Sequence, residues 1–195
     1  MFKKYLLFIT LSLVVIKASA EYPKTDFDFS LLPQYCKAKL KPSSPAEVKK
    51  WSKKLGHDFG HTHHYCAALH SLRRAKNIFS TTPDKAQYKR HLLGVAIGEI
   101  DYMEDKASPS YILFPHIYTT KAEIYLESKQ PAAAIEYFNK AITANKKFTK
   151  PYALLSDYYV EINNKKGARK ILEEGLKYSP KSKHLNRRLN KLVKR

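Results

Sequence analysis

Residues 60–66 read Gly-His-Thr-His-His-Tyr-Cys, and with His57 and His70 they bring five of the chain's eight histidines within fourteen positions. Imidazoles beside a thiol are the raw material of a zinc site, which needs three or four converging ligands. On a helix, however, His57, His61 and His64 share one stripe, whereas His63, Cys66 and His70 fall on nearly the opposite one. No more than three of these histidines then converge without a bend. Neither His-Glu-x-x-His nor Cys-x-x-Cys-His is present. The favoured reading has the histidines packing beside Trp51, Tyr65 and Tyr35 or bonding the helix start. A His-based metal-binding protein stays open as an alternative.

The two cysteines, Cys36 and Cys66, have a simpler use. The chain opens with Lys3 and Lys4, an apolar run from Leu6 to Ile16, and the small residues Ala18-Ser19-Ala20. Its apolar part is too short for a transmembrane helix, and it reads as a signal peptide cut after Ala20. No later run reaches membrane-spanning length, so no membrane span is expected after cleavage. The protein is therefore expected to be periplasmic or secreted, where a cysteine pair becomes a disulfide. A Cys36–Cys66 bond would close a loop of about 30 residues and contribute ~3–4 kcal/mol in the chain-entropy model.

A second candidate for chemistry is the run Glu99, Asp101, Glu104 and Asp105 in an otherwise basic chain. Paired carboxylates can move protons or hold a hard cation. No nucleophile, glycine-rich phosphate loop, Gly-x-Ser-x-Gly or dinucleotide fingerprint accompanies them. A solvated helix end, or a partner for nearby lysines, is the preferred reading. The sequence offers no enzyme and calls for no cofactor.

Charge narrows the partners. The formal net charge is +19, with 36 Lys and Arg against 17 Asp and Glu, and loss of Lys3, Lys4 and Lys17 would lower it by three. Such a surface attracts polyanions. Outside the cytoplasm, anionic lipid, acidic polysaccharide or an acidic protein is more available than nucleic acid. Residues 181–195 concentrate this charge and carry no acid.

The elements that position these residues are helical. Ser44-Pro45-Ala46-Glu47 is a capping box that opens a helix carrying Trp51 and stopping at Gly56. Tyr65, Leu69, Leu72 and Phe79 recur at helical spacing. Thr82-Pro83-Asp84 starts another helix, with Leu92, Leu93, Ala96, Ile97 and Ile100 inward. Residues 21–43, with Pro23, Pro33 and Pro42, are expected to form an extended arm. No β-alternation rises above chance, which predicts an all-α fold.

The last third repeats itself. Tyr118 matches Tyr152, Ala122 matches Ser156 and Tyr125 matches Tyr159; Ala134 matches Ala168, Phe138 matches Leu172 and Ala141 matches Gly175. Every offset is 34. This stretch, 115–182, resembles the tetratricopeptide repeat. The resemblance implies antiparallel helix pairs, about 115–148 and 149–182, stacked as a short right-handed solenoid. Residues 60–79 and 83–105 would form a degenerate repeat ahead of them, and Leu185, Leu189 and Leu192 the apolar stripe of a capping helix behind. The spacing Leu32-Pro33, Tyr35-Cys36, Trp51, Leu55-Gly56, His63-His64-Tyr65-Cys66, Leu72 and Arg74-Ala75 is similar to an N-terminal block of bacterial exported tetratricopeptide proteins. That block has no assigned activity, and it implies that the arm, the Trp helix and the His–Cys helix fold as one unit.

The resemblance places domains at 21–43, 44–108 and 109–195, and it implies a concave surface lined by the first helix of each repeat. Thr119, Glu123, Tyr152, Asp157, Arg187 and Lys191 are the residues expected to meet a protein or peptide there. Glu123 and Asp157 stand where the Lys/Asn clamp of chaperone-tail binders wants donors. The function this supports is an exported, non-enzymatic scaffold for another envelope protein; a basic factor docking on anionic lipid or polysaccharide is the alternative.

Overall fold

The computed structural model describes residues 21–193, so the expected leader at 1–20 lies outside it, as do Lys194 and Arg195. The described residues form helices joined by short turns: α1 (Asp26–Ser30), α2 (Gln34–Leu40), α3 (Pro45–Leu55), a 3-10 turn (His57–His61), α4 (Thr62–Lys76), α5 (Pro83–Lys106), α6 (Phe114–Glu127), α7 (Pro131–Ala144), α8 (Lys150–Glu161), α9 (Lys165–Tyr178) and α10 (Lys183–Val193). α4 packs on α5, α6 on α7 and α8 on α9, and α10 closes the array against α9 and α8. This is an all-α fold of paired helices, as a tetratricopeptide-like repeat requires.

The 34-residue period is written into the turns. Lys129 and Asn163, 34 apart, are the two non-glycine residues with positive φ among those described, at 57° and 60°. Each sits in the turn between the two helices of its repeat. The Gln130 amide donates to the Tyr125 carbonyl at 2.8 Å and the Asn164 amide to the Tyr159 carbonyl at 2.7 Å, the same closing bond in both. These bonds satisfy carbonyls that the helix end would leave bare. Pro131 then starts α7 where its missing amide costs nothing, and the Asn164 side chain caps α9 by accepting from Gly167.

The small residues of the repeat lie between helices. Ala122, Ala134, Ala141, Ala168 and Ser156 are buried, and Phe138 and Leu172 fill the space beside them. Gly175 has no room even for a methyl group: a Cβ there would stand 2.8 Å from both Leu185 Cδ1 and Tyr152 Cγ.

Residues 21–43 are not an extended arm. They form α1 and α2, joined by a turn at Leu31–Pro33. Thr25 and Asp28 make a reciprocal capping box that starts α1, and Pro33 stands immediately before α2. The prolines read as breaks in an extended chain are therefore the punctuation between short helices. Phe29, Tyr35, Cys36 and Ala38 are buried. Each helix is too short to be stable alone, and this burial holds them.

Candidate partner-binding groove and the histidine–cysteine unit

Cys36 on α2 and Cys66 on α4 are joined by a disulfide with Cα atoms 5.5 Å apart. Both are fully buried in the N-terminal core. Around the bond, Tyr35 meets Trp51 edge-on at 5.7 Å. The Thr62 hydroxyl bonds the Tyr111 hydroxyl at 2.8 Å, and Tyr65 bonds Thr120 at 3.0 Å. Buried polar groups are thereby paired.

The histidines disperse into separate duties. His57 is exposed and His70 buried. His63 Nδ1 lies 3.1 Å from the Gly60 carbonyl, which only accepts, so the ring donates to the chain at the helix start. His64 Nδ1 is 2.6 Å from Glu99, and its ring stacks on Tyr102 at 3.7 Å. The His63 and His64 rings approach to 4.1 Å, closer than the wheel suggested. Among the described residues, no three His, Cys, Asp or Glu side chains are gathered so as to hold a metal. Burial pushes the His63 and His70 imidazoles below their ordinary pKa.

The acidic run is engaged piecemeal. Glu99 holds His64, and Asp105 meets Lys106 at 2.9 Å. Lys121, buried on α6, bonds Asp101 at 2.6 Å and also Glu104, with the Tyr137 ring 4.4 Å beneath it. Burial alone would lower the Lys121 pKa, but bonds from Asp101, Glu104 and Tyr137 raise it, so the ammonium keeps its charge. The run ties α5 to α6.

The residues expected to meet a partner separate into three groups. Thr119 and Tyr152 are 0% exposed and cannot line a surface. The Thr119 hydroxyl donates to the Pro115 carbonyl and Tyr152 to the Lys146 carbonyl. The correction lies in packing: Tyr152 is turned toward Gly175 of its partner helix α9, and the Thr119 hydroxyl folds back onto its own helix. Glu123 and Asp157, 34 apart, are cross-ties between successive repeats. Glu123 binds Lys76 of α4 and Lys150 of α8, each at 2.6 Å. Burial alone would raise its pKa; Lys150 and Lys76 outweigh that and hold it below the ordinary glutamate value. Asp157 takes both Nε and Nη2 of Arg188, at 2.8 and 2.7 Å, a bidentate pair that locks α10 to α8. Arg187 and Lys191 are exposed and form no ion pair among the described residues, whereas Asp157 is exposed but held by Arg188.

Lys191 and Asp157 do share a groove. Ser156, Asp157 and Val160 of α8, Lys165 at the start of α9, and Arg188, Lys191 and Leu192 of α10 line a shallow cleft of about 110 Å³. Its wall combines apolar Val160 and Leu192 with two cations, Lys165 and Lys191, that make no ion pair among the described residues. Arg187 is outside this lining. Sequence reasoning missed Lys165, Arg188 and Val160. No local sequence signal marks them: the 34-residue offset carries Lys76 and Lys150, the partners of Glu123, to Ser110 and His184.

At the other end of the array is a second cleft, of about 500 Å³: Leu31, Leu32 and Pro33 of the α1–α2 turn form one wall, and Leu69, Leu72 and Arg73 of α4, Thr120 and Glu123 of α6, and Lys150 of α8 form the others. The Cys36–Cys66 bond ties the α2 side of this cleft to α4.

Residues 125–191 match the tetratricopeptide repeat family model. No curated protein and no solved structure matches the chain significantly.

Proposed function

We propose that this protein is an exported, non-enzymatic scaffold, periplasmic or secreted, that holds another envelope protein in the groove between α8 and α10. The observation that carries the reading is that groove, whose lining apart from Leu192 falls in the 125–191 stretch similar to tetratricopeptide repeats. Tetratricopeptide repeats are protein-binding modules, and the cleft offers apolar contact at Val160 and Leu192 beside the cations Lys165 and Lys191. Such a lining suits a peptide or helix that presents an apolar residue flanked by carboxylates. The Asp157–Arg188 and Glu123–Lys150 ties keep the helices in fixed relation, so the surface is preorganised and ordering costs little on binding.

The experiment is a crosslinking pull-down from envelope extracts with the parent chain and with a Lys165→Glu/Lys191→Glu variant. The expected result is one protein recovered in near-stoichiometric amount by the parent and lost from the variant, at an unchanged melting temperature. Equal recovery by both would remove the groove from the reading.

A further inference from the structure

Helix α3 presents an arrangement that the scaffold reading does not use. Its inward stripe is Val48, Trp51 and Leu55, which pack on the core around the disulfide. The opposite arc carries Lys49, Lys50, Lys53 and Lys54, all exposed. At 100° per residue these four cover the whole solvent side of the helix. Glu47, the single carboxylate of α3, is turned back onto the amide and hydroxyl of Ser43. Among the described residues none of the four lysines forms an ion pair.

Beside Lys54 the surface changes character. Pro33, Tyr35, Trp51, Leu55, Ile112 and Leu113 line a largely apolar slot of about 380 Å³, to which Gln34, Lys54 and His116 add polar groups. Ile112 stands out from the α5–α6 connection at 61% exposure. The ammonium of Lys54 lies 4.9 Å and that of Lys50 6.0 Å from the centre of the Trp51 ring, so these two cations flank the indole while remaining exposed to solvent.

We propose that this face docks on an anionic phospholipid bilayer, with the α3 lysines over the headgroups and Ile112 and the slot beside Trp51 at the acyl boundary. The four cations stand on the convex outside of a helix, with no walls to enclose a peptide; a planar charged surface needs none. They are ammoniums rather than guanidiniums, which suit a diffuse negative potential better than paired carboxylates. Each contributes about 1 kcal/mol near such a surface, so removing one costs roughly fivefold in binding. An exposed aliphatic side chain and a half-buried indole next to a basic helix face complete an interfacial anchor.

The test is sedimentation of the oxidised full chain with phosphatidylglycerol-containing vesicles, against pure phosphatidylcholine. Lys49, Lys50, Lys53 and Lys54 are changed together to Gln, and a charge-matched control changes Lys166, Lys170, Lys177 and Arg187 to Gln. These are all surface positions. We expect binding only to the anionic vesicles, a loss of more than tenfold in the α3 variant, and a change under threefold in the control. Ile112→Ser should weaken binding without altering its salt slope. Equal losses in the two charge variants would overturn the proposal by showing that only net charge acts. So would tighter, α3-dependent binding to polyglutamate than to vesicles, which would make the occupant an acidic protein. None of these variants touches the α8–α10 groove, so this result and the pull-down succeed or fail separately.

Discussion

Glu123 and His70 show how the tertiary neighbourhood decides what a titratable side chain does. Glu123 is nearly enclosed, yet two lysines from different helices keep it ionised. His70 is enclosed and keeps no such partner close enough to prevail: burial lowers its pKa, Asp28 opposes that, and Arg73 adds to it. The sign of the pH effect follows. Below about pH 6.5 the unfolded imidazole takes a proton that the folded one resists, so the unfolded state binds more protons there. The stability contributed by neutral His70 is present above that pH and is lost as pH falls toward the folded value. His63, shifted the same way, adds to the effect. The melting temperature should therefore drop between pH 7.5 and 5.5, and His70→Gln should reduce that slope. A slope identical to the parent's would remove His70 from the account. The residue types at 123 and 157 could be read in the sequence as acids at matched positions; that cations already hold them could not, because Lys76 and Arg188 are 47 and 31 residues away.

Among the elements, two kinds of glycine test the packing. Gly175 on α9 faces Tyr152 and Leu185 so closely that a Cβ would overlap both. Alanine favours helix over glycine by about 1 kcal/mol, yet Gly175→Ala should destabilise by ~1–3 kcal/mol because the ring and the leucine are buried and must move. Gly94 on α5 has open space around its would-be Cβ, and Gly94→Ala should stabilise by about 0.5–1 kcal/mol. Denaturant melts of the two variants check this directly, and the opposite signs are the point. Two helices with similar propensity respond oppositely because one packs against two neighbours at that site and the other faces solvent. The sequence carried half of this: Gly175 aligns with Ala141, which marks a small-residue contact, but not that the tolerance shrinks to zero in the second repeat.

Across the molecule, the packing forms two clusters of buried side chains: one around the disulfide and α4–α5 that reaches Phe114, Ile117 and Ile124 of α6, and one running from Ala122 of α6 to α10. In a stacked array each unit leans mainly on its neighbours, so the two can lose structure at different stress. The Cys36–Cys66 bond, closing a separation of 30 residues, secures only the first. Replacing both cysteines by Ala, or reducing the bond, should cost about 3–4 kcal/mol in the N-terminal unit. The protein has one tryptophan, Trp51, and it packs on that unit. Its emission should shift red at a denaturant concentration where helical circular dichroism still reports the repeats. A single coincident transition for both signals would mean that the two clusters unfold together.

Periodicity is local information, and it determined the all-α class, the 34-residue pairing and the small residues between helices; Ser44-Pro45 marked the start of α3, although Glu47 closes on Ser43 and not on the N-cap Ser44. The same residues at a fixed offset must occupy the same place in each repeat. The half-cystine pairing was also legible, since two cysteines and an export-like leader leave few alternatives. Residues 21–43 were misread because short helices carry too few turns to show a period, and their burial against α4 comes from a distant part of the chain. The partner-facing residues were only half legible for a related reason. Sequence gives the helical stripe, but which stripe faces the next repeat depends on how the pairs rotate against one another. Packing on α9 buried Tyr152, ion pairs committed Glu123 and Asp157 to cross-ties, and Lys165 and Lys191 were left lining the groove.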